Sequence, residues 1–424
     1  MKNGKRKGWS WRVVAFAAAA GLCLSAAAAR AATHQAREND PRKATAARAP
    51  RARDLGVPFE GKPGANDAIT DVNGVEVGYT TLISGSGKLV VGKGPVRTGV
   101  TAILPRGEDF HHPVFAGFFS QNGNGEMTGI HWVKESGFLE GPIMITNTHS
   151  VGVVRDAVIA WEMKHGATQY PWSLPVVAET WDGWLNDING FHVTPADAWH
   201  AIETARGGAV AEGNVGGGTG MVCFGFKGGT GTASRVLPAR EGGYTVGVLV
   251  QCNTGSRREL RIGGVAVGKH VSFPEPYASL VRPQQYDTGS IIIVIATDAP
   301  LVAGELDRLC KRATLGLGRV GGTSGDGSGD LFVSFSTANP NADPARGHDQ
   351  LTVAGAPRPV NVEMLPNWAM DPLFDATIEA TEEAIVNAMI GARTMTGIDG
   401  HTVYALPRRL VKRLMHEKHA PVPW

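Results

Sequence analysis

The first candidate for chemistry in this sequence is a glycine-serine pair that opens an apolar run. Gly289 and Ser290 end a polar turn, and five β-branched residues at 291–295 predict a buried strand. Because glycine tolerates unusual backbone angles, the Gly289-Ser290 peptide could be strained, with the serine hydroxyl near the preceding carbonyl. That geometry would suit cleavage of the chain by its own serine.

Cleavage before Ser290 would also create a base beside the hydroxyl. The new N-terminal α-amine would have a pKa of about 7.7–8.0, which suits proton transfer near neutral pH. The plainer interpretation is that Gly289 and Ser290 begin a core strand, and local composition alone favours it.

An amide side chain follows another predicted strand. Residues 244–251 are apolar and deliver Asn253 at the start of Asn-Thr-Gly. An amide at such a position could donate to a developing oxyanion, a contribution of about 10²–10³ in rate. Asn-x-Gly is also a common turn sequence, so a purely structural role stays open.

A serine and an aspartate lie two residues apart where a further strand begins. Ser328 and Asp330 close a glycine-rich stretch that starts at Gly321, and apolar residues 331–335 follow. This spacing would place both side chains on one face of a strand, where they could share a hydrogen-bond network. The stretch matches neither the lipase G-x-S-x-G pattern nor a complete calcium loop, and a glycine-rich turn is the alternative.

A pair of acidic residues ends the apolar stretch that begins at Pro175. Glu179 and Asp182 stand on either side of Trp181. Two carboxylates beside an aromatic ring are candidates for binding a cation such as a substrate ammonium. A solvated strand end is the competing interpretation.

These candidates need a scaffold of alternating strands and helices. Between residues 58 and 140, short apolar runs separated by Gly, Asn and Pro predict antiparallel strands and hairpins. The order strand, helix, strand then recurs and predicts an α/β fold with a sizeable core. Helical periodicity and capping residues predict four core helices, at residues 151–164, 194–205, 302–316 and 371–392.

Composition and motifs disfavour several classes of function. The glycine-rich residues 213–220 do not match the dinucleotide fingerprint, no phosphate loop is present, and His416-Glu417-Lys418-His419 lacks zinc-binding spacing. The net charge of +2 depends on six bases in the first 31 residues, and the rest of the chain is slightly acidic. We therefore expect no cofactor, no metal and no nucleic-acid partner.

The N-terminus has the parts of a secretory signal. A basic start, an apolar run at 13–29 and small residues at Ala29 and Ala31 predict residues 1–31 as a signal peptide. The apolar run is shorter than the roughly 20 residues that a membrane span needs. Residues 32–57 lack apolar periodicity and predict a disordered leader. We expect a periplasmic or secreted protein without a membrane anchor after signal removal.

Three cysteines remain once Cys23 leaves with the signal. Cys223, Cys252 and Cys310 stand in apolar surroundings, and their number is odd. We therefore expect buried thiols rather than a disulfide framework or a metal cluster.

Several separated motifs, in order along the chain, resemble one known family. They lie at residues 175–187, 213–220, 250–253, 288–300 and 327–330. Together they resemble the DmpA/BapA family of secreted or periplasmic L-aminopeptidase/D-esterases and β-peptidyl aminopeptidases, over roughly residues 58–415. The resemblance implies one catalytic domain at residues 58–424, folded as a four-layer αββα sandwich like that of N-terminal-nucleophile hydrolases but with different connectivity.

The resemblance also implies self-cleavage and a role for each candidate residue. The chain would be cut between Gly289 and Ser290, giving an α chain that ends at 289 and a β chain of residues 290–424. Ser290 would be the nucleophile, with its α-amine or a neighbouring hydroxyl taking the proton. The remaining roles would be a hydrogen-bond network held by Ser328 and Asp330, an oxyanion donor at Asn253 and an ammonium site at Glu179. Some relatives carry glutamate in place of the shorter Asp330.

The leading hypothesis is a self-processing serine aminopeptidase or amidase. It would release N-terminal β-, D- or L-amino acids from short peptides, amides or esters, and the resemblance implies a homo-oligomer of αβ units. One alternative is acyl transfer, as in the related ornithine acetyltransferases, where threonine normally replaces Ser290. A secreted binding protein without enzymatic activity is a further alternative, and it would remain one uncut chain.

Overall fold

Two stacked β-sheets form the centre of the computed structural model, which describes residues 50–167, 172–277, 289–343 and 359–419. The smaller sheet contains, in spatial order, β1 (Glu76–Ser84), β2 (Val96–Glu108), β5 (Ile143–Asn147) and β6 (Val176–Thr180). The larger sheet contains, in spatial order, β4 (Phe138–Leu139), β3 (Val114–Gly123), β12 (Gly329–Ser336), β11 (Ser290–Thr297), β10 (Thr245–Asn253) and β9 (Gly229–Val236). Two short hairpins complete the strands: β7 (Val222–Cys223) with β8 (Phe226–Lys227), and β13 (Met395–Thr396) with β14 (Thr402–Val403).

Helices cover the outer face of each sheet. In the described part of the chain they are α1 (Ile130–Ser136), α2 (Val151–His165), α3 (Pro195–Glu203), α4 (Ala303–Arg319), α5 (Asp371–Gly391) and α6 (Arg408–His419). Side chains of α2 and α3 share a hydrophobic core with the smaller sheet, and those of α4 and α5 share one with the larger sheet. A third core lies between the sheets. The four-layer αββα sandwich is thus confirmed, and none of the helices described is long and apolar enough to cross a membrane.

The apolar run after Ser290 is explained by burial on both faces of β11. Ile291, Ile293 and Ile295 pack in the core beneath the helices, whereas Ile292 and Val294 face the other sheet. A strand covered on both sides carries apolar residues without alternation. Side chains alternate along a strand, so Ser290 points to the same side as Ile292, between the sheets.

The predicted helices are present, with ends within three residues of expectation. The helix predicted at 371–392 is Asp371–Gly391, and the one predicted at 302–316 extends to Arg319. Thr194 and Asp197 form a capping box at the start of α3. Periodicity and caps were sufficient signals for α2, α3 and α4 because each of them buries one face, whereas α5 is buried on nearly all sides.

The glycine-rich run is a packing element. Gly216–Gly220 forms a buried 3-10 turn. The N–H of Gly217 donates to Thr101 Oγ1 on β2 (3.1 Å), and a Cβ added there would lie 2.3 Å from Gln251 Oε1. Small residues are therefore required because the backbone itself fills this space.

Residues 50–57 belong to the folded domain, which corrects the expectation that the disordered leader extends to residue 57. Arg51 is buried, and its Nε lies 3.1 Å from Glu212 Oε2. The main-chain N–H of Ala52 donates to Asn387 Oδ1 on α5 at 2.9 Å. The segment lacks apolar periodicity because buried ion pairs and hydrogen bonds provide much of its anchoring.

The expectation of three buried thiols was wrong for two of the cysteines. Cys223 and Cys252 form a disulfide with Cα atoms 5.6 Å apart, and Cys310, the third of these cysteines, is free and buried. The pair is separated by 29 residues. The β7–β8 hairpin folds against the end of β10 and brings the sulfurs together, a long-range contact that local composition does not reveal.

Candidate active site

Ser290 lies where two parallel strands begin side by side. Ile291 is in register with Asp330 across the β11–β12 pair, so Ser290 lies beside Gly329. The Gly329 N–H donates to Ser290 Oγ at 3.0 Å. A main-chain donor at this distance favours negative charge on the serine oxygen, as a nucleophile requires.

Asn253 faces Ser290 on the neighbouring antiparallel strand. The two residues are direct partners at the ends of β10 and β11, which places their side chains on the same face about 4.5–5.5 Å apart at Cβ. The Val222 N–H donates to Asn253 Oδ1 at 2.7 Å. This hydrogen bond fixes the carbonyl end of the carboxamide and leaves Nδ2 as its donor end.

Ser328 and Asp330 form the expected pair. Ser328 Oγ donates to Asp330 Oδ2 at 3.0 Å, and both residues are fully buried. Asn122 Nδ2 donates to Ser328 Oγ, also at 3.0 Å, from the adjacent strand β3. The sequence around Asn122 alternates Asn and Gly and predicts only a turn, so this contact was missed.

The strand register separates Asp330 from the serine side chain. Asp330 lies beside Ile291, whose side chain points to the helix-covered face, whereas Ser290 points between the sheets. The carboxyl of Asp330 is therefore connected to the serine through Ser328 and the backbone of Gly329.

Glu179 comes from the other sheet, at the end of β6, and its carboxyl is buried. Oε1 accepts the Glu126 N–H at 2.9 Å, and Oε2 accepts a short hydrogen bond from Thr148 Oγ1. Burial raises the pKa of Glu179, and these two hydrogen bonds partly offset the rise. Thr148 and Glu126 carried no signal in the sequence because they lie on separate segments.

Two features place Glu179 close to the strand ends that carry Ser290 and Gly329. A Cβ atom added at Gly125 would lie 3.4 Å from Glu179 Oε1 and 3.2 Å from Gly329 Cα, so this glycine is the spacer between them. Gln251 Nε2 donates to Thr180 Oγ1 at 2.9 Å and so bridges the two sheets one residue beyond Glu179. The five predicted side chains thus lie near the same strand ends. Ser290 points between the sheets, whereas Asp330 is on the helix-covered face.

Gly289 is needed for close approach. A Cβ atom there would lie 2.0 Å from the main-chain oxygen of Asn253 and 2.8 Å from Thr254 Cα. The Gly289-Ser290 peptide therefore runs against the end of β10, and no larger residue fits without displacement.

Asp182, the second carboxyl of the predicted pair, has hydrogen-bond partners that differ from those of Glu179. It is fully buried and accepts a hydrogen bond from Asn186 Nδ2 at 3.0 Å, and burial raises its pKa to about 7. Lys227, also buried, has its pKa lowered to about 7 by burial and donates to main-chain oxygens. No group of three or more His, Cys, Asp or Glu side chains suited to a metal ion occurs among the residues described.

Known proteins are similar to this chain in sequence and in fold. Residues 67–403 match the model of peptidase family S58. The β-peptidyl aminopeptidase BapA of Sphingosinicella microcystinivorans is 54% identical over 88% of this chain and 93% of its own. That of Sphingosinicella xenopeptidilytica is 47% identical over 86% and 91%.

Solved structures of similar enzymes superpose on this chain. A Burkholderia sp. β-aminopeptidase superposes with a TM-score of 0.79 at 45% identity, covering 88% of this chain and all of the other. The L-aminopeptidase D-Ala-esterase/amidase of Ochrobactrum anthropi, described as a variant of the Ntn hydrolase fold, gives 0.77 at 44% identity over 87% and 99%. These similarities favour peptide hydrolysis over acyl transfer or simple binding. The chain belongs to peptidase family S58 and is an aminopeptidase of the N-terminal-nucleophile hydrolase type.

Proposed function

We propose that this aminopeptidase matures by cutting its own Gly289-Ser290 bond and then acts on peptides with an N-terminal β-amino acid. One observation carries the proposal: Ser290 Oγ, held by the Gly329 N–H, lies opposite the Asn253 amide at the start of β11. A nucleophile and an oxyanion donor are thereby fixed on rigid strands.

The maturation step needs no group beyond this cluster and water. Ser290 Oγ attacks the Gly289 carbonyl carbon and a C–O bond forms. The hydroxyl proton passes to the Ser290 nitrogen as the C–N bond breaks, which frees the α-amine of Ser290. Water then hydrolyses the ester, which leaves a Gly289 carboxylate and restores the serine hydroxyl. The Asn253 Nδ2 donor stabilises the oxyanion in both steps.

The same groups serve the substrate. Glu179 binds the substrate ammonium, and Ser290 attacks the acyl carbon while its proton passes to the α-amine or a neighbouring hydroxyl. The leaving amine takes this proton, and water releases the acyl group. Ser328 and Asp330 flank Gly329 in the chain, and the hydrogen bond between their side chains positions the Gly329 segment.

The substrate class is proposed from the relatives. The two curated relatives cited above are β-peptidyl aminopeptidases, while the Ochrobactrum enzyme is an L-aminopeptidase and D-Ala-esterase/amidase. A panel of β-homo, D- and L-aminoacyl p-nitroanilides tests this, with the highest kcat/KM expected for the β-homo series. A preference for L-aminoacyl compounds would contradict it.

We further propose export and assembly. The signal at residues 1–31 and the Cys223–Cys252 disulfide both fit a periplasmic or secreted protein, because disulfides persist in oxidising compartments. The leader would be residues 32–49, and the mature enzyme would be a homo-oligomer of αβ units.

Substitution of Ser290 tests the proposal directly. Ser290→Ala should abolish both processing and hydrolysis, because it removes the proposed nucleophile. Denaturing gels and a p-nitroanilide assay measure the two effects, and Ser290→Cys, which keeps a nucleophile of similar size, should still be cut. A cleaved and active alanine variant, or active wild-type material that stays one intact chain, would refute the proposal.

A further inference from the structure

The disulfide connects the two segments that fix the Asn253 side chain. Cys252 directly precedes Asn253 on β10, and Cys223 directly follows Val222, whose N–H holds Asn253 Oδ1 at 2.7 Å. Each half-cystine is thus the chain neighbour of one partner in this hydrogen bond. Both cysteines are fully buried.

The segment that carries Val222 is not a member of the larger sheet. Among the described residues, β7 pairs with β8 alone, while β10 pairs with β9 and β11. Besides the Val222 bond, the Phe224 N–H donates to the Thr254 carbonyl at 2.6 Å. The disulfide is the covalent connection between the hairpin and the strand end that bears Asn253.

The fit around the disulfide is close. A Cβ added at Gly228, next to β8, would lie 2.6 Å from Cys223 Cβ and 2.4 Å from the Cys252 carbonyl oxygen. Close contact at Gly228 therefore limits movement of the hairpin relative to β10, and the S–S bond limits the same movement.

We propose that the Cys223–Cys252 disulfide is a positioning element for the oxyanion donor. By holding the Val222 N–H against Asn253 Oδ1, it sets the rotation of the carboxamide and aims Nδ2 at the developing oxyanion. This inference rests on the donor role proposed above for Asn253. The disulfide would then contribute to catalysis as well as to the stability of the fold.

The hairpin keeps its own support when the disulfide is removed. Lys227 Nζ donates to the carbonyls of Met221 (2.8 Å) and Gly228 (2.9 Å), which closes the hairpin from within. Loss of the S–S bond should therefore loosen the angle of the Asn253 amide without unfolding the domain. Glu179 belongs to the other sheet, so substrate binding should be little changed.

The test compares fully processed wild-type enzyme with Cys223→Ser/Cys252→Ser. Proteolysis without reduction should first yield one peptide in which Cys223 and Cys252 are linked. The double variant should lose about tenfold in kcat for a β-aminoacyl p-nitroanilide, part of the about 10²–10³ that removal of an oxyanion donor costs. KM should stay within about twofold. Cys310→Ala, which removes the buried free thiol, is the matched control and should keep wild-type kcat.

A double-mutant cycle separates positioning from general destabilisation. Measured on fully processed protein, Asn253→Ala alone should lower kcat by about 10²–10³, and adding the two cysteine substitutions to it should cause no further loss. A cysteine effect that persists at full size in the Asn253→Ala background would overturn the inference. So would unchanged kcat without the disulfide, an increase confined to KM, or unlinked cysteines in the wild-type protein.

The donor role of Asn253 and the positioning role of the disulfide can be tested separately. If Asn253→Ala keeps wild-type kcat, the donor role itself is wrong and the positioning role falls with it. If Asn253→Ala is impaired while the cysteine variant is not, only the positioning role is wrong. Thermal melting monitors folding throughout, and Cys223→Ala/Cys252→Ala replaces the serine pair if buried hydroxyls prevent folding.

Discussion

Glu179 shows how surroundings set the chemistry of a single residue. Its carboxyl is buried and accepts hydrogen bonds from Thr148 and Glu126, yet burial still raises its pKa. A buried carboxylate without a cation is costly, so an ammonium ion is a fitting partner. The charge that would attract substrate is therefore lost at a higher pH than for an exposed glutamate.

We predict an acid limb in kcat/KM caused by Glu179. Since its pKa is raised, kcat/KM should increase with pH through a midpoint above the ordinary glutamate value of 4.5. Glu179→Gln should remove that limb and lower kcat/KM by about 30-fold or more, because an uncompensated ammonium remains.

The control for this prediction is a substrate ester that lacks the amine. Its hydrolysis should show no limb that depends on Glu179. An unchanged acid limb in Glu179→Gln with the amine substrate would contradict the assignment.

The residues of the site were partly predictable from sequence. Five side chains could be predicted because they stand at or next to strand ends, in motifs that resemble those of the family: Ser290, Asn253, Ser328, Asp330 and Glu179. Their supporting partners did not stand out, since Asn122, Thr148 and the Val222 N–H act through contacts between distant segments. Main-chain donors in particular carry no side-chain signature in a sequence.

At the level of elements, the parallel pair β11–β12 determines where the site forms. Both strands start at the same edge, so Ser290 and Gly329 become neighbours although 39 residues separate them. The antiparallel strand β10 ends at this edge and contributes Asn253. Gly289 must pass this strand end closely, which makes its small size a requirement for the geometry of the proposed cut.

Gly289→Ala should therefore slow maturation. The added Cβ would lie 2.0 Å from the Asn253 oxygen, so the scissile peptide must shift, and we expect about tenfold or more slower appearance of two fragments on denaturing gels. Gly304→Ala in α4 is the matched control, because no atom beyond its chain neighbours and the backbone of its own helix lies within 4 Å of its Cβ position. Processing of Gly289→Ala at the wild-type rate would show that the close contact is irrelevant.

The elements themselves followed from sequence more readily than their arrangement. Helices and buried strands were predicted because periodicity and glycine boundaries are local signals. The parallel pairing of β11 with β12 and the disulfide between Cys223 and Cys252 depend on long-range contacts. The layer order came from the family resemblance and not from the periodicity.

On the scale of the whole molecule, a buried ion network fastens the N-terminal segment to the sandwich. It joins three guanidinium groups to four carboxyls: Arg51, Arg53, Arg235, Asp67, Glu212, Glu379 and Glu383. One acidic group is in excess. Burial and the nearby Glu383 raise the pKa of Asp67 to about 7, so it holds a proton that an unfolded chain would release near its ordinary value of 3.8.

Stability should fall as the pH rises from about 4 to about 7, because the native state then loses a proton that stabilised it. Asp67→Asn stays neutral, and asparagine tolerates the left-handed backbone at this position (φ 48°). We expect its melting temperature to exceed the wild-type value by about 2 °C or more at pH 8, with the difference vanishing near pH 4.

Calorimetry at both pH values makes this measurement. Asp156→Asn on the surface of α2, where the carboxyl is 80% exposed, is the control and should melt like wild type. A lower melting temperature for Asp67→Asn at every pH would mean that the ion pairs with Arg51 and Arg53 outweigh the excess charge.

The sheet order also determines what the proposed cut does to the molecule. β11 and β12 come after residue 289, yet they lie between β3 and β10, which come before it. The strands of the two fragments would thus be mixed within one sheet. The fragments could separate only if the hydrogen bonds between these strands broke. Cleavage would convert a unimolecular folding reaction into a bimolecular one, whose reversal depends on protein concentration. The mature enzyme would then be preserved by the slowness of its unfolding, and maturation would be a one-way step.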